Sequence, residues 1–374
     1  MSATGVAPEG YLDASSGEPL HLAARGALIA AAEQGWADPA GLTPPSRRAR
    51  ILLDAALSAV GTALGVPSTS IHPVHGDPAP IALDQLLAQP LASGTPSPQR
   101  TLVVSAIERE PIMRRALESG GKLVEVDEVG RVRLDHLETI LAQVGAHAAL
   151  SFQAANGEVG TIQPVDQIAA LAHSHGVPIH LDYQSAIGRV PLVNAQYISA
   201  AASGWAGPRG VGVILTSERA SASLLSTHRA TVSVPLLIAA AAALEARIAD
   251  AGREDARLRA LIDRVRSSIS SIPDADLAGD PHDRLPHVLT ASFLYVDGQV
   301  LMDALARHGL YIGSGSACVA SRLEPSHVLA AMGRLSHGNI RLALAHGTRE
   351  SDIDRLTTLL PGTVATIRSE YGMA

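Results

Sequence analysis

The chain has almost no lysine and almost no cysteine. Among its 374 residues there is one lysine, Lys122, and one cysteine, Cys318. A single cysteine excludes an intrachain disulfide. A single lysine confines any chemistry that starts with an amine attacking a carbonyl to that one position. Runs of basic residues are absent and the formal net charge is −7, which argues against nucleic acid as the main partner. No apolar run reaches the ~18 residues that a membrane-crossing helix needs, and no signal pattern opens the chain. The expectation is a cytoplasmic protein with no membrane segment.

What the chain does have is core-forming material. Hydrophobic residues make up 47% of it, and the length suits one large or two medium domains. Residues 311–329 are the most informative stretch. Gly313 and Gly315 precede Cys318, and Glu324-Pro325-Ser326 reads as the start of the next helix. A lone cysteine is more often an inert buried thiol than a nucleophile. Glycine and serine on both sides of this one argue instead for an accessible, adaptable loop.

Ser314-Gly315-Ser316-Ala317-Cys318, followed by Leu323-Glu324-Pro325-Ser326, resembles the catalytic loop of cysteine desulfurases. These are pyridoxal-phosphate (PLP) enzymes of the class V aminotransferase fold. The resemblance runs through residues 10–370. It implies an α/β protein of PLP-dependent transferase fold type I: a mainly parallel seven-stranded sheet flanked by helices, plus a smaller α+β domain. The large domain is then expected at 16–240. Residues 1–15 and 241–374 form the small domain that carries the cysteine loop. A homodimer is implied as well.

The local pattern agrees with an α/β chain. Residues 20–34 and 46–64 read as helices, with Pro44-Pro45 in a loop between them. Strands are expected at 101–107, 122–126, 148–152 and 178–182, with Lys122 at a surface step. Residues 236–272 read as long helices and 350–368 as the closing helix. His72 and His75 lie in a proline-rich turn and are expected to be solvated rather than metal ligands.

Several family positions are retained. Asn156 stands in Asn156-Gly157-Glu158, followed by Gly160 and Gln163-Pro164; it matches an asparagine that contacts cofactor and substrate. Asp182 ends a strand, where ligands of open parallel sheets bind. It matches the carboxylate under the pyridinium nitrogen, and Gln184 the residue on the ring hydroxyl. Arg341 in Ile340-Arg341-Leu342 matches the arginine that grips the substrate carboxylate with two prongs. Cys318 matches the persulfide nucleophile.

Other family positions are lost. Gly207-Pro208-Arg209-Gly210-Val211-Gly212 fixes the register of the preceding turn. The Schiff-base lysine is then Gly204, the phosphate-contacting serine is Ala201, and the adjacent histidine is Ser203. Glycine offers no amine, and no neighbouring lysine can substitute, because Lys122 is the single lysine of the chain. Trp205 is expected to fill part of the vacated space. At 71–80 the phosphate turn keeps only Gly76, and Asp77-Pro78 reads as an N-cap with proline at the first helical position. Arg109 replaces the histidine that stacks on the ring and is expected to pair with Glu108 or Glu110. Of the loop that reaches the partner's phosphate, Thr231 alone matches.

These losses lead to an expectation of no cofactor, with Asp182, Gln184, Asn156, Arg109, Ser203 and Thr231 as a remnant site. The main reading is a cysteine desulfurase-like scaffold or regulatory partner in sulfur transfer. Two alternatives stand beside it: an active desulfurase holding PLP without a covalent bond, and a carrier that accepts persulfide sulfur on Cys318. A sulfur-acceptor or desulfurase protein is the expected partner.

Overall fold

The computed structural model describes residues 7–90, 100–217, 220, 232–315, 325–370 and 372. Cys318 and Thr231 lie outside them. The first helices are α1 (Leu22–Gln34) and α2 (Pro44–Leu64). Pro44 and Pro45, expected in a loop, form the first turn of α2. The N–H groups of a helix's first turn have no acceptor within the helix, so proline costs nothing there. Thr43 caps the turn and Gly65 ends the helix in the left-handed conformation at φ 69°.

Next come β1 (Ile71–His75), α3 (Pro78–Leu87), β2 (Thr101–Ser105), α4 (Glu110–Glu118), β3 (Lys122–Val124), α5 (Leu134–Val144), β4 (Ala148–Gln153), α6 (Val165–Ser174), β5 (Ile179–Asp182), β6 (Tyr197–Ala201) and β7 (Val211–Thr216). The seven strands form one sheet in the order β1-β7-β6-β5-β4-β2-β3. β7 alone runs against its neighbours, so the sheet is mainly parallel.

Both faces of the sheet are covered, which is why its central strands read as nearly unbroken apolar runs. All six residues of β4 are buried. Leu102 and Val104 face one side with Leu83, Leu86 and Ile112 of α3 and α4. Val103 between them faces the other side with Leu150, Leu181 and Val213. His72 is buried in β1, not solvated, and its ring meets the Thr216 hydroxyl at 3.0 Å.

One helix, α7 (Val234–Ser270), replaces the expected series over 236–272. Leu237, Ala240 and Leu244 in its first half join the core under the sheet. Leu258, Ile262 and Val265 in its second half join a separate core with Leu12, Leu289 and Phe293. That second core lies against a three-stranded antiparallel sheet, β8 (Ala275–Ala278), β9 (Val288–Phe293) and β10 (Asn339–Ala343), in the order β10-β9-β8. Helices α8 (Gly298–Arg307), α9 (His327–Ala331) and α10 (Glu350–Glu370) complete the described chain. Among the described residues no helix is long and apolar enough to cross a membrane.

Candidate active site

The carboxyl ends of β1, β2, β4, β5 and β6 lie along one edge of the large sheet. In such sheets that edge is where side chains converge on a ligand. Here a cavity of about 780 Å³ opens, lined among others by Arg109, Asn156, Asp182, Gln184, Gly204 and Arg341. Residues from distant parts of the sequence thus meet as the family resemblance implies.

Arg109 does not pair with Glu108 or Glu110. It caps α4 from the end of β2, and its Nε–H donates to Asp182 Oδ2 at 2.5 Å. Its two terminal nitrogens donate to both oxygens of Asp77, at 2.6 and 2.8 Å. The pairing is dictated by burial. Asp182 is only 3% exposed, and an ionised carboxylate there requires a cation and hydrogen bonds. Asp182 also accepts the Gln184 backbone N–H at 2.8 Å. Asp77 caps α3 as expected, accepting the Ala79 N–H at 3.1 Å with proline following. Arg109 beside it holds its carboxyl below the usual carboxylate range, against the opposing effect of burial.

Beneath this triad lies His180, fully buried. One ring nitrogen meets Ser151 Oγ at 2.9 Å and the other Ser199 Oγ at 2.8 Å. Burial pushes its pKa down to about 4, so the ring stays neutral near pH 7.

Gln184 and Asn156 hold the walls. Gln184 Oε1 accepts the Ala201 N–H at 2.8 Å, and its Nε2–H donates to Ser203 Oγ at 3.3 Å. It thereby staples the 3-10 turn Ala202–Trp205. Within that turn Gly204 is compressed: a Cβ there would lie 2.1 Å from the Gln184 carbonyl oxygen. Trp205 is buried but turns to α7, donating to the Ala240 carbonyl at 2.9 Å, and it does not line the cavity. Asn156 Oδ1 accepts from the Glu158 and Val159 N–H groups, and its amide donates to the Ile107 carbonyl.

The loop that carries Cys318 is anchored at both described ends beside the cavity. Gly313 and Arg341 exchange backbone hydrogen bonds of 3.0 and 2.7 Å. Ser326, at the far end, donates to Glu158 Oε1 at 2.5 Å. A Cβ on Gly315 would lie 2.0 Å from that same oxygen, so a side chain here would have to displace the Glu158 carboxylate from its place beside Ser326. Arg341 is nearly fully buried. Its Nε–H has no partner among the described residues, and its ion pair to Asp13 is long, at 3.4 Å.

Two site residues were not singled out by sequence reasoning, Glu158 and Glu108. Glu158 stood inside the Asn-Gly-Glu motif. Glu108 gave no signal beyond its place next to Arg109. Its carboxyl is fully buried, Oε1 accepts the Gln153 N–H at 2.8 Å, and Oε2 has no partner among the described residues. Burial, with Asp182 nearby, pushes its pKa up to about 8 from an ordinary 4.5. Between those two values the folded chain holds a proton that the unfolded chain has released. The stability this protonated form contributes is complete below the unfolded value and is lost as pH rises through about 8. The slope is about 1.4 kcal/mol per pH unit for one group. Glu108→Gln should remove the slope. Its melting temperature, close to wild type at pH 5, should exceed wild type at pH 8.5. A difference that stays constant across that range would refute the assignment.

Comparison with known proteins places these features in a family. The aminotransferase class-V profile matches residues 84–356. A cysteine desulfurase from Cereibacter sphaeroides is 30% identical over 382 residues, covering 96% of each chain. The cysteine desulfurase NifS of Azotobacter vinelandii is 31% identical over 294 residues, 73% of each chain. A solved NifS-like protein superposes with a TM-score of 0.83 at 23% identity, over 96% of this chain and all of that one; this last likeness speaks to fold alone.

The relatives correct one expectation. Cysteine desulfurases are PLP-dependent, so PLP is the cofactor to expect here rather than none. The residues present fit it in part. Asp182 and Gln184 stand at the edge where a pyridine ring would be held. The turn at Gly204 has neither an amine nor room for a side chain, and Asp77 occupies the amino end of α3. The group can therefore be held by contacts and not by a bond to this turn. Profile and relatives show that the chain belongs to the aminotransferase class-V family, with cysteine desulfurases among its relatives.

Proposed function

We propose that this protein handles cysteine sulfur: it takes a cysteine-type amino acid by its carboxylate on Arg341, holds PLP by contacts alone, and carries sulfur on Cys318. The observation that supports this best is the pairing of Gly313 with Arg341. It puts the start of the cysteine loop in hydrogen-bonded register with a buried arginine of the cavity whose Nε–H has no partner among the described residues. A guanidinium in that state suits a carboxylate, which can accept two parallel hydrogen bonds.

When bound, PLP supplies an electron-withdrawing ring that weakens the bonds at the amino acid's α-carbon. The chain's own residues bind and orient: Arg341 takes the carboxylate, Asn156 and Gln184 fix the cavity wall, Asn339 holds the near end of the loop at Gly315 and Glu158 the far end at Ser326. Loading from a donor persulfide is balanced on its own. The Cys318 thiolate attacks the outer sulfur, a new S–S bond forms at Cys318, the donor's S–S bond breaks, and the donor leaves as a thiolate. The loaded sulfur then passes to an acceptor protein, with the protein acting as a homodimer.

Incubation with a ³⁵S-labelled persulfide donor tests the reading. Wild type should retain label that dithiothreitol releases, and Cys318→Ser should retain none. Equal labelling of the two would end the proposal. Sedimentation of the pure protein at the mass of one chain would remove the dimer from it.

A further inference from the structure

We propose that Arg109 sets the affinity of the cavity for PLP by occupying, together with Asp77, the two charge positions that the cofactor itself would claim. The inference rests on the reading that the cavity takes PLP, and it explains why the residues fit that group only in part.

PLP brings two charged ends, a ring nitrogen that is cationic when protonated and a phosphate that is anionic. A buried carboxylate at a strand end suits the first, and the amino end of a helix suits the second. In this chain both places are already served from within. The Arg109 cation lies against Asp182 through Nε at 2.5 Å. The Asp77 anion sits at the amino end of α3, accepting the Ala79 N–H, and both its oxygens are held by the same guanidinium. Arg109 is thus a shared counter-ion between Asp182 on β5 and Asp77 on α3. These residues are 73 and 32 positions from it in sequence.

The arrangement has a definite cost to an incoming ligand. To reach Asp182, the ring nitrogen must displace the Nε hydrogen bond. To reach the α3 amino end, the phosphate must approach the Asp77 carboxylate, a like charge. Neither half can be gained alone. Moving Arg109 off Asp182 leaves that carboxylate, nearly fully buried, without its cation until the ring arrives. Moving Arg109 off Asp77 leaves a bare anion where the phosphate must settle.

This coupling gives the single variants a distinctive signature. Arg109→His should free Asp182 but leave Asp77 uncompensated. Asp77→Ala should clear the α3 amino end but leave Arg109 on Asp182. Neither alone should improve PLP binding much. Asp77→Ala/Arg109→His together should bind PLP more tightly than wild type by about tenfold or more, an amount each single change falls well short of. Inorganic phosphate separates the halves. It should protect Asp77→Ala/Arg109→His against thermal unfolding and leave wild type unprotected.

The test is an absorbance and fluorescence titration of the four full-length proteins with PLP, alongside thermal melts. An equal PLP dissociation constant for wild type and the folded double variant would overturn the proposal. So would single variants that each gain as much as the double. If Asp77→Ala/Arg109→His does not fold, the near-isosteric neutral pair Asp77→Asn/Arg109→Gln takes its place, with the same expected gain and the same overturning result. The ³⁵S labelling of Cys318 does not depend on these affinities. Arg109 can therefore fail as the controlling residue while sulfur carriage stands, and the reverse.

Discussion

Lysine written back at position 204 is expected not to restore a covalent anchor. A Cβ there would lie 2.1 Å from the Gln184 carbonyl oxygen and 3.2 Å from its carbon. Both are backbone atoms that cannot rotate aside, and Gln184 is held in turn by its bonds to Asp182, Ala201 and Ser203. Overpacking of this kind costs about 2–3 kcal/mol before the longer side chain is placed. For a chain of this size that is a fall of roughly 5 °C in melting temperature. Gly204→Ala should show most of the loss, because the first carbon makes the clash. Gly204→Lys should show at least as much. After incubation with PLP and borohydride reduction, intact-mass measurement should find no adduct at residue 204. A wild-type melting temperature together with such an adduct would show that the turn accommodates a lysine after all.

Removing Asp182 is the second large effect. Its carboxylate is buried and holds Arg109, whose side chain is 27% exposed. Breaking a buried pair from one side costs about 3 kcal/mol or more. Because Arg109 keeps Asp77, the low end of that range is expected for Asp182→Ala. Part of the loss should be returned at high pH, since Asp182 is one of the groups that keep Glu108 protonated. Arg109→Met/Asp182→Leu should be far less damaging than the sum of the single changes, because it strands no charge. Chemical denaturation of the four proteins, taken as a double-mutant cycle at pH 7, measures the coupling. Additive losses would mean that the two side chains do not act on each other.

The scaffold was legible because its signals are local. Strand ends followed by Asp182, Asn156 and the Gly207–Gly212 run kept their order and spacing, and they came together in one cavity. The Asp77-Pro78 cap was legible for the same reason, since a cap is decided within three residues. The electrostatics were not. Arg109 looked nearest to Glu108 and Glu110 along the chain, yet its partners come from β5 and from the start of α3. Only the fold decides which carboxylates are left without water. Trp205 was expected to fill space on size alone, but its indole N–H sought a buried carbonyl and found Ala240. The expectation of an empty pocket came from counting lost contacts, and the relatives overrule it. Thr231 and Cys318 lie outside the described residues, so the structure adds nothing to their assignments.

The bridge between Gly313 and Arg341 ties the described start of the cysteine loop to β10. Two residues further on, Gly315 is held to the same strand by the Asn339 side chain at 3.0 Å. Anything that shifts β10 must therefore move the buried guanidinium of the cavity and the described residues leading into the cysteine loop as one.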